Sequence, residues 1–353
     1  MTLATLAPVL ITQRDFQSML TFARTIFQLK SNDAYINNMQ LNLPETAQMN
    51  PQYPSLLMGY DFHLTSDGPK LIEINNNAGG LFEKDDGWIP QCQHVEMPNN
   101  LEQRIKAMFP ESWKHIAIMD EAIQDQYMYP EMCAYARLLE SSGRTVSLVS
   151  PEDLELRESG LFVNGLSIDA IYNRHTDFYL EHESMQHIKQ AFMAKQVVLN
   201  PNPRSYALIG DKNRMVDWWR EGVLESIVDA SSLVCIRNVV PETHLLAECE
   251  SDLAWETRKS WVFKPAAKHG GKGVLLGKGM SRKRFEQFDK HTTVMQKLVP
   301  PSQITINDAS FKFDVRLYMH GSSLIAMAGR AWNGQITNFR EEGSGWTAIA
   351  IEA

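Results

Sequence analysis

Leu71-Ile72-Glu73-Ile74-Asn75 carries a carboxylate and a carboxamide two residues apart inside an otherwise apolar run. On a strand, residues i and i+2 point to one face, so Glu73 and Asn75 present two hard oxygen donors together, a set suited to Mg²⁺. The turn sequence Ser66-Asp67-Gly68-Pro69 separates this run, residues 70–74, from a second apolar run over 55–64, and the two predict a β-hairpin. In that hairpin Asp61 falls within one residue of lying opposite Glu73, where it would supply a third oxygen. A polar strand edge beside a loop rich in Asn76, Asn77, Gly79 and Gly80 is the other reading of the same residues.

Working outward, residues 14–29 place Phe16, Met19, Leu20, Ala23 and Phe27 at helical spacing, with Thr12 or Gln13 at the cap position. Downstream, a strand at 115–119, a helical pattern at 131–141 and a strand at 145–149 make an α/β unit. It continues through the turn Asn164-Gly165, a strand at 169–172, a helical stretch at 181–195 and a strand at 197–199. Asn200-Pro201-Asn202-Pro203 reads as a boundary. Beyond it the pattern predicts a helix over 212–224 and strands at 233–236, 261–263, 273–276, 293–298, 313–319 and 324–328.

Composition bounds the function classes. The 353 residues suit two or three sub-domains around a shared core. With 34 basic against 42 acidic side chains the net charge is −8, which repels phosphate polymers and acidic lipid, so nucleic acid and membrane are not expected partners. A local basic cleft for a small anion stays open. Cys92, Cys133, Cys235 and Cys249 are widely spaced and read as reduced thiols of a cytoplasmic protein. The apolar start lacks the basic residues of a secretory signal, and no run reaches the length of a membrane span. His175, His182 and His187 have the wrong spacing for one helix face and are not read as a metal site.

Two further constellations carry chemistry. Lys264 stands in Val262-Phe263-Lys264-Pro265, followed by Lys268-His269-Gly270-Gly271-Lys272-Gly273, whose backbone N–H groups can fold over phosphates. The spacing is not that of a P-loop, and a flexible turn between two strands is the alternative. Asp314-Val315-Arg316 is another i, i+2 pair, with Arg330 and Asn338 following a turn at His320-Gly321-Ser322. Arginine forks converging from adjacent strands suit a triphosphate or a migrating phosphoryl group. Taken singly, each also reads as an exposed salt bridge.

Together and in this order the motifs resemble the ATP-grasp ligases. Asp211-Lys212, Lys264-Pro265, Gly270, Gly271 and Gly273, the hinge strand Met295-Gln296-Lys297-Leu298, Asp314 with Arg316, Arg330 and Asn338 follow the order of that family's ATP half. Asp61 and Glu73-Ile74-Asn75 stand near the N-terminus instead of the C-terminus, which looks like the circular permutation of the eukaryotic-type glutathione synthetases. The resemblance covers residues 55–345 and implies an α/β (α+β) chain with a permuted ATP-grasp fold and an inserted Rossmann-like substrate domain. The implied division is 1–110 for the N-terminal helix and metal-binding part, 111–204 for the substrate domain, 205–300 for the nucleotide and lid region, and 301–353 for core strands. A homodimer is the implied assembly.

The resemblance further implies ATP and Mg²⁺ as cofactors. Asp61, Glu73 and Asn75 would hold the metal. Lys212, Lys264, Gly270, Gly271, Gly273, Gln296, Lys297 and Leu298 would hold the nucleotide, and Asp314, Arg316, Arg330 and Asn338 would act on the acyl phosphate. Where the family has a glutamate metal ligand after its Lys-Pro pair, this chain has Ala266, Ala267 and Lys268. The family's substrate contacts fall on Gln126, Tyr127 and Met128 and on Arg174-His175-Thr176-Asp177, where only Arg174 matches. These departures imply a retained ATP machinery and a rebuilt acceptor site for amino-acid or peptide substrates. A carboxylate–amine ligase is the first expectation. An ATP-grasp kinase, a non-catalytic ATP-binding regulator and a plain α/β interaction protein are the alternatives.

Overall fold

The computed structural model describes residues 8–40, 43–83, 87–88, 92–266, 273–306, 309–334 and 344–352. Thr12 starts the first helix, its hydroxyl accepting Asp15 N–H at 3.0 Å, a cap that contributes about 1 kcal/mol. The helix, Gln13–Leu29, buries Phe16, Met19, Phe22, Ala23 and Ile26, and this stripe packs against the hairpin, where Phe22 meets Tyr60 and Phe62 edge-on at 6.5 and 5.9 Å.

That hairpin, Met58–Thr65 and Gly68–Asn75, is the outer part of an antiparallel sheet. Met58–Thr65 pairs with Ala309–His320, which pairs with Ser323–Trp332, which pairs with Gly345–Thr347; Ser302–Ile306 also joins Ala309–His320. Alternation decides the two faces. Tyr60, Phe62, Val315 and Leu317 turn to the helix-covered core, leaving Asp61, Asp314, Arg316 and Arg330 on the opposite face although all are buried.

The hairpin holds one irregularity with consequences for the site. Phe62 pairs with Leu71 but Asp61 pairs with Glu73, so Ile72 is an extra residue. A bulge of this kind shifts the alternation by one. Leu71 and Ile74 both reach the core, and Glu73 and Asn75 share the other face with Asp61.

A second, parallel sheet runs in the order Val198–Asn200, Ala170–Asn173, His115–Met119, Thr145–Val149, with helix Tyr129–Glu140 connecting the last two. The boundary segment is pinned to the N-terminal region: Asn200 accepts Leu56 N–H and donates to Pro54 O, both at 2.8 Å. A third sheet runs Thr243–Leu245, Thr293–Lys297, Trp261–Pro265, Leu275–Leu276.

Several expected elements differ. Residues 233–236 are not a strand but lie in helix Ala230–Val239, which Asp229 starts by accepting Ser232 N–H at 2.9 Å. Ile236 and Val239 form its buried edge while Val234 is 57% exposed, so the four-residue apolar run is one turn of an amphipathic helix. The helix expected over 212–224 is confined to Asn213–Trp219 and is preceded by one wide π turn, Tyr206–Gly210. The stretch 181–195 divides into a 3₁₀ turn, Glu183–Met185, and helix Gln186–Met193. All four cysteines are free thiols, and among the described residues no helix is long and apolar enough to cross a membrane.

Candidate active site

Strand register places a row of charges across the sheet. Arg330 lies opposite Asp314, Arg316 opposite Asp61, and Asp61 opposite Glu73. Opposite charges on cross-strand neighbours attract, and here they bond directly. Arg316 donates Nε and Nη2 to the two oxygens of Asp61 at 2.6 and 2.7 Å. Arg330 grips Asp314 in the same two-pronged way at 2.7 and 2.8 Å and reaches Asp61 Oδ2 at 2.8 Å. Asn75 Nδ2 adds a bond to Asp61 Oδ2 at 3.1 Å.

The arrangement fixes the charge states. Burial alone would raise the Asp61 carboxyl, but Arg316 and Arg330 hold it below its ordinary value. Burial pushes Asp314 up, against the pull of Arg330. Asp61 therefore stays a carboxylate clasped by two guanidiniums. Both Asp61 oxygens are engaged by arginine N–H groups, so a cation expected there would compete with Arg316 and Arg330 for them. Glu73 and Asn75 remain as donors, with the Asn75 amide oxygen directed away from Asp61 because its nitrogen points there. One carboxylate and one carboxamide fit a Mg²⁺ that keeps several waters and takes its other oxygens from phosphate. The described residues hold no cluster of three or more His, Cys, Asp or Glu side chains able to cage a metal by themselves.

Lys264 joins the second wall. Its Nζ donates to Ile72 O at 2.9 Å and to Gln296 Oε1 at 2.6 Å, so the carbonyl that the bulge releases from the ladder is capped by the lysine. Gln296 is itself held by Thr243 Oγ1 at 3.1 Å. Burial lowers Lys264 to about 8; Glu73 opposes that shift and Lys212 adds to it. Lys212 is buried in the same wall. Four cations, Lys212, Lys264, Arg316 and Arg330, thus meet three carboxylates, Asp61, Glu73 and Asp314.

The remaining expected residues divide. Lys297 is exposed, its ammonium 4.8 Å from the Trp261 ring, so its side chain leaves the face on which Gln296 meets Lys264. Leu298 donates its N–H to Ser260 O at 2.9 Å. Gly273 has φ +78°; Gly270, Gly271 and Asn338 lie outside the described residues. Gln126 hydrogen-bonds Glu121 O, and Tyr127 is 41% exposed.

Arg174, the one match among the expected substrate contacts, closes on the loop that follows Asn75. Nη1 donates to Asn77 O at 2.9 Å and Ala78 O at 3.2 Å, and Nη2 lies 4.0 Å from Glu131 Oε2. Glu131 Oε1 in turn accepts Gly80 and Leu81 N–H, each at 2.8 Å. A Cβ on Gly79 would stand 2.8 Å from Arg174 Nη2, and one on Gly80, at φ +94°, would stand 2.2 Å from Trp346. Only glycines let the loop run between these side chains. Arg316 Nη1 and the Tyr318 hydroxyl both donate to Gly79 O, at 3.1 and 3.2 Å, which ties the charge row to the Arg174–Glu131 clasp.

Sequence reasoning missed two contributors. His63, two residues after Asp61 on the same face, donates Nδ1–H to Val299 O at 3.1 Å; burial first, then Lys264 and Arg330, lowers it to about 4. The i, i+2 spacing from Asp61 was its signal. Glu131 gave none, since one glutamate at the start of a helical pattern ordinarily faces solvent.

Comparison with solved structures gives matches over nearly the whole chain. A glutathione synthetase-like effector from Globodera pallida, in its apo form, is 10% identical, with a TM-score of 0.62 over 100% of this chain and 90% of that one. A protein described as a putative gamma-glutamylcysteine synthetase from Methylobacillus flagellatus is 12% identical, with a TM-score of 0.54 over 94% and 86%. No protein-family model matches the sequence, and no curated protein does. The resemblance to glutathione synthetases read from the motifs therefore holds at the level of the fold.

Proposed function

We propose that the chain is an ATP-dependent ligase that joins a carboxylate to an amine through an acyl phosphate, with an amino-acid or peptide substrate pair. The observation that carries this reading is the registered row Glu73–Asp61–Arg316–Asp314–Arg330 facing Lys264, built on a fold similar to that of a glutathione synthetase-like protein.

Each residue then has a task. Lys264 and Lys212 bind phosphate oxygens. Glu73 and Asn75 hold Mg²⁺, which when bound neutralises the charge on the transferring phosphoryl group. Asp61 and Asp314 orient the two guanidiniums and keep them charged, so that the N–H groups left over face the reacting centre. Arg330 uses Nε and Nη2 on the carboxylates, and its Nη1 has no partner among the described residues. Donors fixed beforehand stabilise the acyl phosphate and the tetrahedral intermediate without reorganising. No protein nucleophile is required.

A second reading, a nucleotide-binding protein without turnover, is favoured by Asp61 holding both arginines. Phosphate release from Mg-ATP in the presence of a panel of amino acids and short peptides decides between them. Acceptor-dependent release is expected, with γ-glutamylcysteine plus glycine a poor pair because Gln126, Tyr127 and Met128 stand at the family's contact positions. Nucleotide binding without release under any acceptor would select the silent binder, and absence of nucleotide binding would overturn both.

A further inference from the structure

A second cationic site lies apart from the charge row. At the end of helix Gln13–Leu29, Lys30 turns into a cleft of ≈ 390 Å³ whose other wall carries Arg204 and Ser205. Lys30 Nζ donates to Ser205 Oγ at 3.2 Å and lies 5.0 Å from the Phe27 ring centroid. Arg204 donates Nη1 to Gln48 O at 3.1 Å and Ala47 O at 3.5 Å, which leaves Nε and Nη2 without a partner among the described residues. Among the described residues neither Lys30 nor Arg204 has an ion-pair partner. Asp33 is the one carboxylate on the lining and is exposed at the mouth.

Two like charges brought together without a counter-charge raise the energy of the empty cleft. The carbonyls at the helix C-terminus favour Lys30, and Ala47 O and Gln48 O engage one nitrogen of Arg204, but these neutral acceptors do not balance two full charges. An oxyanion relieves both. Phe27, Tyr53 and Pro54 give the lining one flat apolar patch, and Ser31, Asn50 and Gln52 make much of the rest polar, a mixture suited to a ligand with a charged end and a planar body.

We propose that this cleft binds a small organic anion, its carboxylate or phosphate held by Lys30, Arg204 and the Ser205 hydroxyl and its flat body lying against Phe27, Tyr53 and Pro54. The site shares no residue with the charge row and does not depend on the ligase reading.

Pyridoxal 5′-phosphate tests it on the intact chain, since it carries both an anionic head and an aromatic ring. The Lys30 amine adds to the aldehyde, water leaves to give the imine, and borohydride reduces the C=N bond to a stable secondary amine that peptide mapping locates. Burial and Arg204 lower Lys30 to about 8, so at pH 7.5 it should be labelled at least about tenfold faster than the exposed Lys195. Phenyl phosphate or benzoate should protect it, whereas chloride at equal ionic strength should not. Protection by one of the two identifies the head group; by both, a site for either. Arg204→Gln should slow labelling of Lys30 and leave labelling of Lys264, in the other site, unchanged. Labelling at the rate of Lys195, equal protection by chloride, or insensitivity to Arg204→Gln would each overturn the proposal.

Discussion

Asp61 is fully buried between two guanidiniums, so its charge matters more than its shape. Asp61→Asn keeps the volume but strands Arg316 and leaves Arg330 with Asp314 alone, which should destabilise the fold by about 3 kcal/mol or more in urea titration; a loss under about 1 kcal/mol would show that Arg316 finds another counter-charge. His63 sets the acid limit. Its folded value of about 4 lies below the usual 6.5, so the unfolded chain binds the proton first. Stability contributed by neutral His63 is complete above pH 6.5, declines as pH falls from there, and is fully lost below about 4, a total of about 3 kcal/mol. A His63→Gln variant should lack that decline. Lys264 sets the alkaline limit: its value of about 8 predicts that ATP affinity falls as pH rises through the region near 8, and Lys264→Arg should abolish the fall. Lys264→Ala should weaken ATP binding by about 1.5 to 3 kcal/mol, the range of a charged hydrogen bond, in calorimetry.

At the scale of elements the bulge at Ile72 does the most. It turns Glu73 from the core face to the site face and frees the carbonyl that Lys264 caps. Glu73→Gln should therefore abolish phosphate release while leaving the urea midpoint unchanged; near-normal release would remove Glu73 from the mechanism. Much of this hairpin was legible. Periodicity and the turn put Asp61 within one residue of lying opposite Glu73, and the bulge that completes the pairing is one that period-two reasoning has no way to locate because both Ile72 and Ile74 are apolar. The helix Ala230–Val239 was illegible for a related reason: Leu233-Val234-Cys235-Ile236 suits a strand by composition, and only the cap at Asp229 and burial of Ile236 with Val239 choose the helix. Lys264, Arg316 and Arg330 were readable because basic residues inside apolar runs demand a reason. Glu131 was not, since its burial depends on a loop fifty residues earlier in the chain.

Across the whole molecule, that loop is where the six-stranded antiparallel sheet and the four-stranded parallel sheet meet. Arg174 and Glu131 come from the parallel-sheet unit, Arg316 and Tyr318 from the antiparallel sheet, and all four hold the backbone between Asn77 and Leu81. Arg174→Lys keeps the charge but cannot span Asn77 O and Ala78 O together, and should cost about 1.5 to 3 kcal/mol of stability; an unchanged urea midpoint with a raised KM for one substrate would instead restore the substrate-anchor role. The row of charges has one more effect, on folding fidelity. Every member of Glu73–Asp61–Arg316–Asp314–Arg330 belongs to a cross-strand pair, and a strand that slipped by one residue would turn its charges into the apolar layer beneath the first helix. Wrong alignments of the Met58–Thr65, Ala309–His320 and Ser323–Trp332 strands are thereby penalised as a group, and the residues assigned here to phosphate chemistry also proofread the assembly of the sheet that carries them.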